Sequence, residues 1–141
     1  MEERVERAKI LLEKGRRHLR AARILYKNSL YGDSLSRSYY VVFSAAMAIL
    51  TLLGHRAGTH SGLKELFGLH VVRSGLMDKE FGKVLRRLYE LRQEGDYEAL
   101  TFYDEEEAAR ALEDAERFLK EAERVFGELV KRLYGGQGPP F

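Results

Sequence analysis

The chain has 141 residues, 45% of them hydrophobic and 33% charged, with a formal net charge of only +2. That is the composition of one soluble domain with a sizeable core, and it excludes a protein that holds nucleic acid by overall charge alone. Cysteine is absent, which excludes disulfides, thiolate chemistry and cysteine metal sites.

The charge is unevenly spread. Residues 1–71 carry 12 Lys+Arg against 6 Asp+Glu, whereas residues 72–141 carry 12 against 16. Such polarity favours self-association or a charged partner. The N-terminus reads Met-Glu-Glu-Arg, without the apolar core of a signal peptide. The longest apolar run, Tyr39 to Leu53, is too short to span a bilayer. A cytoplasmic protein without a membrane segment is expected.

Both prolines lie in the terminal stretch 135–141, which is expected to be disordered, leaving 1–134 as a single domain. Helical periodicity elsewhere predicts an all-α protein. The first helix covers roughly 2–28. Val5, Ala8, Leu12, Gly15, Leu19, Ala22 and Tyr26 step along one face. Gly15 costs helix stability there, which close approach of a neighbouring helix would explain. Residues 28–32 are expected to form a turn. The second helix starts near Asp33 or Ser34, either of which can cap it, and runs to Leu53 with Gly54 as a left-handed exit. A loop, GHRAGTHSG, precedes a short helix from about Ser61 to His70, with Thr59 or Ser61 as its cap. Asp78 can cap a fourth helix that ends at Gly95. Asp104 and Glu107 form a capping box for a fifth, about thirty residues long. Long helices with short connections predict an antiparallel up-and-down four-helix bundle, with a short additional helix between helices two and four.

The segments SRSYYVVFSAAMAIL (36–50), THSGLKELF (59–67) and LRRLYELRQEGDY (85–97), followed by the acidic start of the last helix, occur in this order in one family. The chain resembles HEPN domains (higher eukaryotes and prokaryotes nucleotide-binding), in their small stand-alone prokaryotic branch, over residues 1–134. The resemblance implies a helical bundle that is usually dimeric and a minimal nucleotidyltransferase as partner, in some cases within a toxin–antitoxin pair. It also implies, for some members, metal-independent ribonuclease activity. The ribonuclease motif is an arginine followed after four to six residues by a histidine. Here Arg92 matches the arginine, but the residue that follows after four intervening ones is Tyr97, and the four histidines, at 18, 55, 60 and 70, all precede Arg92.

Several side chains are therefore candidates for ligand contact. Arg92 can hold a phosphate through its forked donors, with Asp96 and Tyr97 beside it, or it can simply pair with a nearby carboxylate. Arg37 and Tyr40 share a face of helix two, and Arg37 either pairs with an acid such as Asp96 or joins Arg92 in an anion site. His60 lies at a helix start, where anions bind, or serves as local scaffolding. The apolar perimeter of helix two points to a homodimer with Tyr39, Phe43, Met47 and Leu50 at or near the seam. Arg16, Arg20, Arg23 and Lys27 make a basic stripe on helix one, either a solvated surface or a track for RNA phosphates or an acidic partner. No metal site and no cofactor are expected.

The function expected is a non-catalytic subunit that pairs with a minimal nucleotidyltransferase and binds nucleotide or phosphate at a dimer-seam pocket. A ribonuclease toxin with a degenerate motif and a purely structural dimer are the alternatives. The enzyme question stays open but leans to no activity, because a tyrosine titrates too high to shuttle protons at neutral pH.

Overall fold

The computed structural model describes residues 2–97 and 104–135, and side chains for 3–93 and 104–135. The described residues form an all-α bundle of α1 (Glu2–Lys27), α2 (Tyr31–Leu52), α3 (His60–Phe67), α4 (Lys79–Tyr97) and α5 (Glu105–Leu133). A five-residue π-helical stretch, Gly68–Val72, continues α3. The expected tail, apart from Gly135, lies outside the described residues.

Helix α2 is the hub, packing against every other helix. It runs antiparallel to α1: Ser34 touches Ala22, Val41 and Ser44 lie against Gly15, and Gly54 lies against Arg4. Helix α5 also runs antiparallel to α1, pairing Glu116 with Arg23 and Glu123 with Arg16. Contacts of Arg87 with Asp114 and of Glu80 with Arg117 set α4 antiparallel to α5. Leu12, Leu35, Ile49, Phe67, Phe118 and Phe126 are fully enclosed between these helices. By length and composition α2 could cross a membrane, but 67% of its most apolar window is buried inside the bundle. A helix covered on most sides must be apolar on most sides, so packing alone accounts for its composition.

Local chemistry sets most of the ends. Asp104 and Glu107 close their capping box at the start of α5. Thr59, not Ser61, caps α3, accepting from the Gly62 amide at 3.0 Å. Asp78 Oδ1 accepts from the Glu80 amide at 3.0 Å. Gly54 leaves α2 with φ +89°, the left-handed exit that glycine permits without strain.

Three boundaries differ from expectation. Helix α2 starts at Tyr31 without a side-chain cap, because Ser29 takes the turn at φ +62° and shortens it. Ser34 is buried inside the helix, and its hydroxyl donates to the Ala22 carbonyl at 2.8 Å, tying α2 to α1 instead of capping. Helix α4 passes through Gly95 to Tyr97. A glycine weakens a helix interior but ends the helix only when its backbone turns left-handed. At Gly15 the neighbours are near, but a Cβ would sit 3.4 Å from Leu119 Cδ1 and 3.6 Å from the Val41 carbonyl oxygen. These are ordinary contacts, so close approach does not demand glycine there.

Candidate functional site

An aromatic corner forms where α2, α3 and α4 meet, with one residue added from α1. Tyr39 is buried on α2, and its hydroxyl lies 2.9 Å from Nδ1 of His60. The His60 ring stacks on Tyr89 of α4, with centroids 3.4 Å apart and planes within 6°. Tyr89 is in turn fixed by Gln93, whose Nε2 donates to its hydroxyl at 2.7 Å. One turn of α4 beyond Tyr89, the Arg92 guanidinium sits 4.9 Å from the Tyr40 ring centre and 5.5 Å from that of Tyr39. Arginine over a tyrosine face is attracted by the ring quadrupole, by about 0.5–2 kcal/mol depending on desolvation.

The other face of the corner belongs to α1. His18 stacks on Tyr40 with centroids 5.5 Å apart. Exposed Arg37 brings Nη1 to 3.3 Å from Nδ1 of His18. A guanidinium only donates, so this His18 nitrogen accepts and its ring is neutral. Burial first, then Arg37 and Lys14, hold the His18 pKa below its ordinary value.

The protonation of the corner follows from its packing. Burial, and secondarily the Lys64 ammonium, push the His60 pKa down to about 4. Burial raises Tyr39 well above the usual phenol range, against the opposing pull of Arg92. At neutral pH the corner therefore holds a neutral imidazole, a protonated phenol and a permanently charged guanidinium. Nε2 of His60 is buried with no hydrogen-bond partner among the described residues. The arrangement can attract an anion and donate hydrogen bonds. It is poorly tuned to exchange protons, because an effective acid–base group titrates near the working pH.

The sequence candidates divide accordingly. Arg37, Tyr40, Arg92 and His60 come together, with Arg37 and Arg92 linked through His18 and Tyr40. The side chains of Asp96 and Tyr97 lie outside the described residues. Of the seam candidates, Tyr39 and Leu50 are enclosed by the chain's own helices, whereas Phe43 and Met47 are half-buried. Two of the four residues in the basic stripe on α1 are matched by α5: Arg16 lies 2.8 Å from Glu123 and Arg23 3.0 Å from Glu116. Sequence reasoning missed His18, Tyr89 and Gln93. The spacing of Tyr89, Arg92 and Gln93 puts them on one helix face, but the stack of Tyr89 on His60 depends on a contact across 29 residues of chain.

The HEPN domain family matches residues 8–125. The chain belongs to the HEPN family. Among its relatives, a Methanocaldococcus jannaschii protein named "Putative toxin MJ0605" is 32% identical over 125 residues, spanning 89% of this chain and 92% of the relative. A Thermotoga maritima protein named "UPF0332 protein" is 33% identical over 110 residues, 78% of this chain and 83% of the relative. A second M. jannaschii protein, "Putative toxin MJ0142", is 30% identical over 127 residues, 90% and 85% of the two chains. The HEPN match includes Arg37, Tyr40, His60 and Arg92.

Proposed function

We infer that this HEPN chain is a non-catalytic subunit of a two-component, toxin–antitoxin type system. In this reading it pairs with a minimal nucleotidyltransferase and binds nucleotide or phosphate at the Arg37–Tyr40–His60–Arg92 corner. The names of the two M. jannaschii relatives support the system type. A homodimer seam on α2 is in keeping with half-buried Phe43 and Met47, while Tyr39 and Leu50 are buried within the bundle. Asp96 and Tyr97, at the end of α4, would complete the pocket.

The observation that carries the non-catalytic reading is the His60 imidazole. Among the described residues it is the histidine that shares the Tyr39 contact with Arg92, and its pKa of about 4 leaves it without a proton to give at pH 7. RNA cleavage needs both a base for the attacking 2′-hydroxyl and an acid for the leaving oxygen, and such help is typically worth about 10²–10⁴-fold. The test is a metal-free RNA digestion at pH 7, with Arg92→Ala as the contamination control. The purified protein is expected to cleave slowly or not at all, and Arg92→Ala to weaken phosphate or nucleotide binding with helix content intact.

The ribonuclease reading has one observation in its favour. The fold brings His60 to the tyrosines that Arg92 faces, so a histidine joins an arginine in space although none follows Arg92 in sequence. Robust cleavage abolished by Arg92→Ala would establish that reading in place of the first.

A further inference from the structure

A cavity lies at the opposite end of the α1–α2 pair from the Arg37–Arg92 corner. It has a volume of about 480 Å³, lined by the polar side chains of Arg4, Arg7, His55 and Arg56 and the apolar ones of Ile10, Leu11 and Met47. Among the described residues no carboxylate lines it. Arg7 is partly neutralised by Glu3 at 2.6 Å, whereas Arg4 and Arg56 make no ion pair among the described residues.

Two features shape its polar lining. The Arg4 guanidinium lies across Gly54 so closely that a Cβ there would come within 2.9 Å of its Cζ. The bare backbone at the end of α2 is what lets the cation settle against it. His55 follows, stacked on His70 at 3.8 Å between centroids and within 15° of parallel. His70 belongs to the π-helical stretch Gly68–Val72, an irregularity frequent at functional sites. Partial burial, then His70 and Arg4, hold the His55 pKa below its ordinary value, and its ring can still donate an N–H bond.

We propose that this cavity is a second ligand site, which takes a small organic anion: a phosphate monoester with an apolar body. Its phosphate meets Arg4 and Arg56, and its body covers Ile10, Leu11 and Met47. The volume lies within the usual range for small-molecule sites, roughly 300–1,000 Å³, and an apolar lining with a few converging polar groups is their usual build. Two guanidinium groups suit a phosphate because their planar forks match its oxygens. The site is separate from the corner and does not depend on the reading of it. Only Met47 is common to the cavity and the expected seam.

The test uses the full chain, with 1-naphthyl phosphate, inorganic phosphate and 1-naphthol as probes in calorimetry and in NMR of the histidine imidazoles. Naphthyl phosphate should bind more tightly than either part alone, and its affinity should fall with added salt. Arg4→Gln and Arg56→Gln should each weaken it about tenfold, as expected for a charge-assisted hydrogen bond, while Arg20→Gln on the α1–α5 side leaves it unchanged. The His55 resonances should move on binding and its titration midpoint should rise, because a nearby anion favours the imidazolium. Binding unaffected by Arg4→Gln and Arg56→Gln overturns the proposal, as does a response confined to His18 and His60. Phosphate binding as tightly as its naphthyl ester removes the apolar residues from the site. Absence of binding at millimolar probe removes the site altogether.

Discussion

Two seams of this bundle use arginine in different ways. Between α5 and its neighbours α1 and α4, arginines meet carboxylates. Arg16 faces Glu123, Arg23 faces Glu116, and Asp114 takes both Arg87 and Arg117. In the α2–α3–α4 corner Arg92 faces the rings of Tyr39 and Tyr40, beside a neutral histidine. The first seam explains where part of the uneven charge of the sequence goes: the acidic second half supplies α5, whose Glu116 and Glu123 meet Arg23 and Arg16 of the basic first half. The second seam places a guanidinium against π faces, which attract it through the ring quadrupole. One seam serves the fold, and the other holds the residues proposed to meet a ligand.

The largest break in the first seam is expected at Asp114. Its side chain is 11% exposed and receives Arg117 Nη2 at 3.0 Å as well as Arg87. Asp114→Ala leaves half-buried Arg87 among Arg110 and Arg117, which already depress its pKa after the effect of burial. The loss should be about 2–4 kcal/mol, between that of a single charged hydrogen bond and that of a broken buried pair. Urea unfolding measures it. A change below half a kcal/mol would make this seam as dispensable as ordinary surface pairs.

The corner should show itself through pH. His60 titrates at about 4 in the fold against an ordinary 6.5. The unfolded chain therefore binds a proton that the fold refuses between those values, and stability falls as pH drops from about 6.5 towards 4. Above 6.5 this contribution is fully present. Burial depresses His18 in the same direction, so it adds to the slope. His60→Gln should flatten the fall between pH 7 and 5, read as urea midpoints at the two values. An identical fall in wild type and variant would locate the titrating groups elsewhere.

The smallest effect is predicted at Gly15, where α1 meets both α2 and α5. A methyl group fits at ordinary contact distances, so Gly15→Ala should stabilise by about 0.5–1 kcal/mol through helix propensity. Thermal unfolding would show it as a rise in Tm, and a fall would mean that Leu119 cannot give way.

What the sequence revealed follows the range of the interactions. The helices and the caps at Thr59, Asp78 and Asp104 were legible because each rests on contacts within four residues. The start of α2 was misplaced because Ser34, a good cap by type, is claimed by the Ala22 carbonyl of another helix. Gly95 suits a helix stop by residue type, yet the helix continues to Tyr97. In the corner, Arg92 was visible through the arginine of the family's motif, Arg37 and Tyr40 through their shared face of helix two, and His60 through its place at a helix start. The stacks that give them a shared role, Tyr89 on His60 and His18 on Tyr40, join separate helices. No local pattern encodes such contacts.

The account turns on the protonation state of His60, and NMR titration of its imidazole measures that state directly. A midpoint near 4, with the ring neutral throughout the physiological range, is the result predicted by its burial beside Tyr39 and Tyr89. A midpoint at or above 6 would contradict it and supply the corner with the acid–base group that a ribonuclease requires.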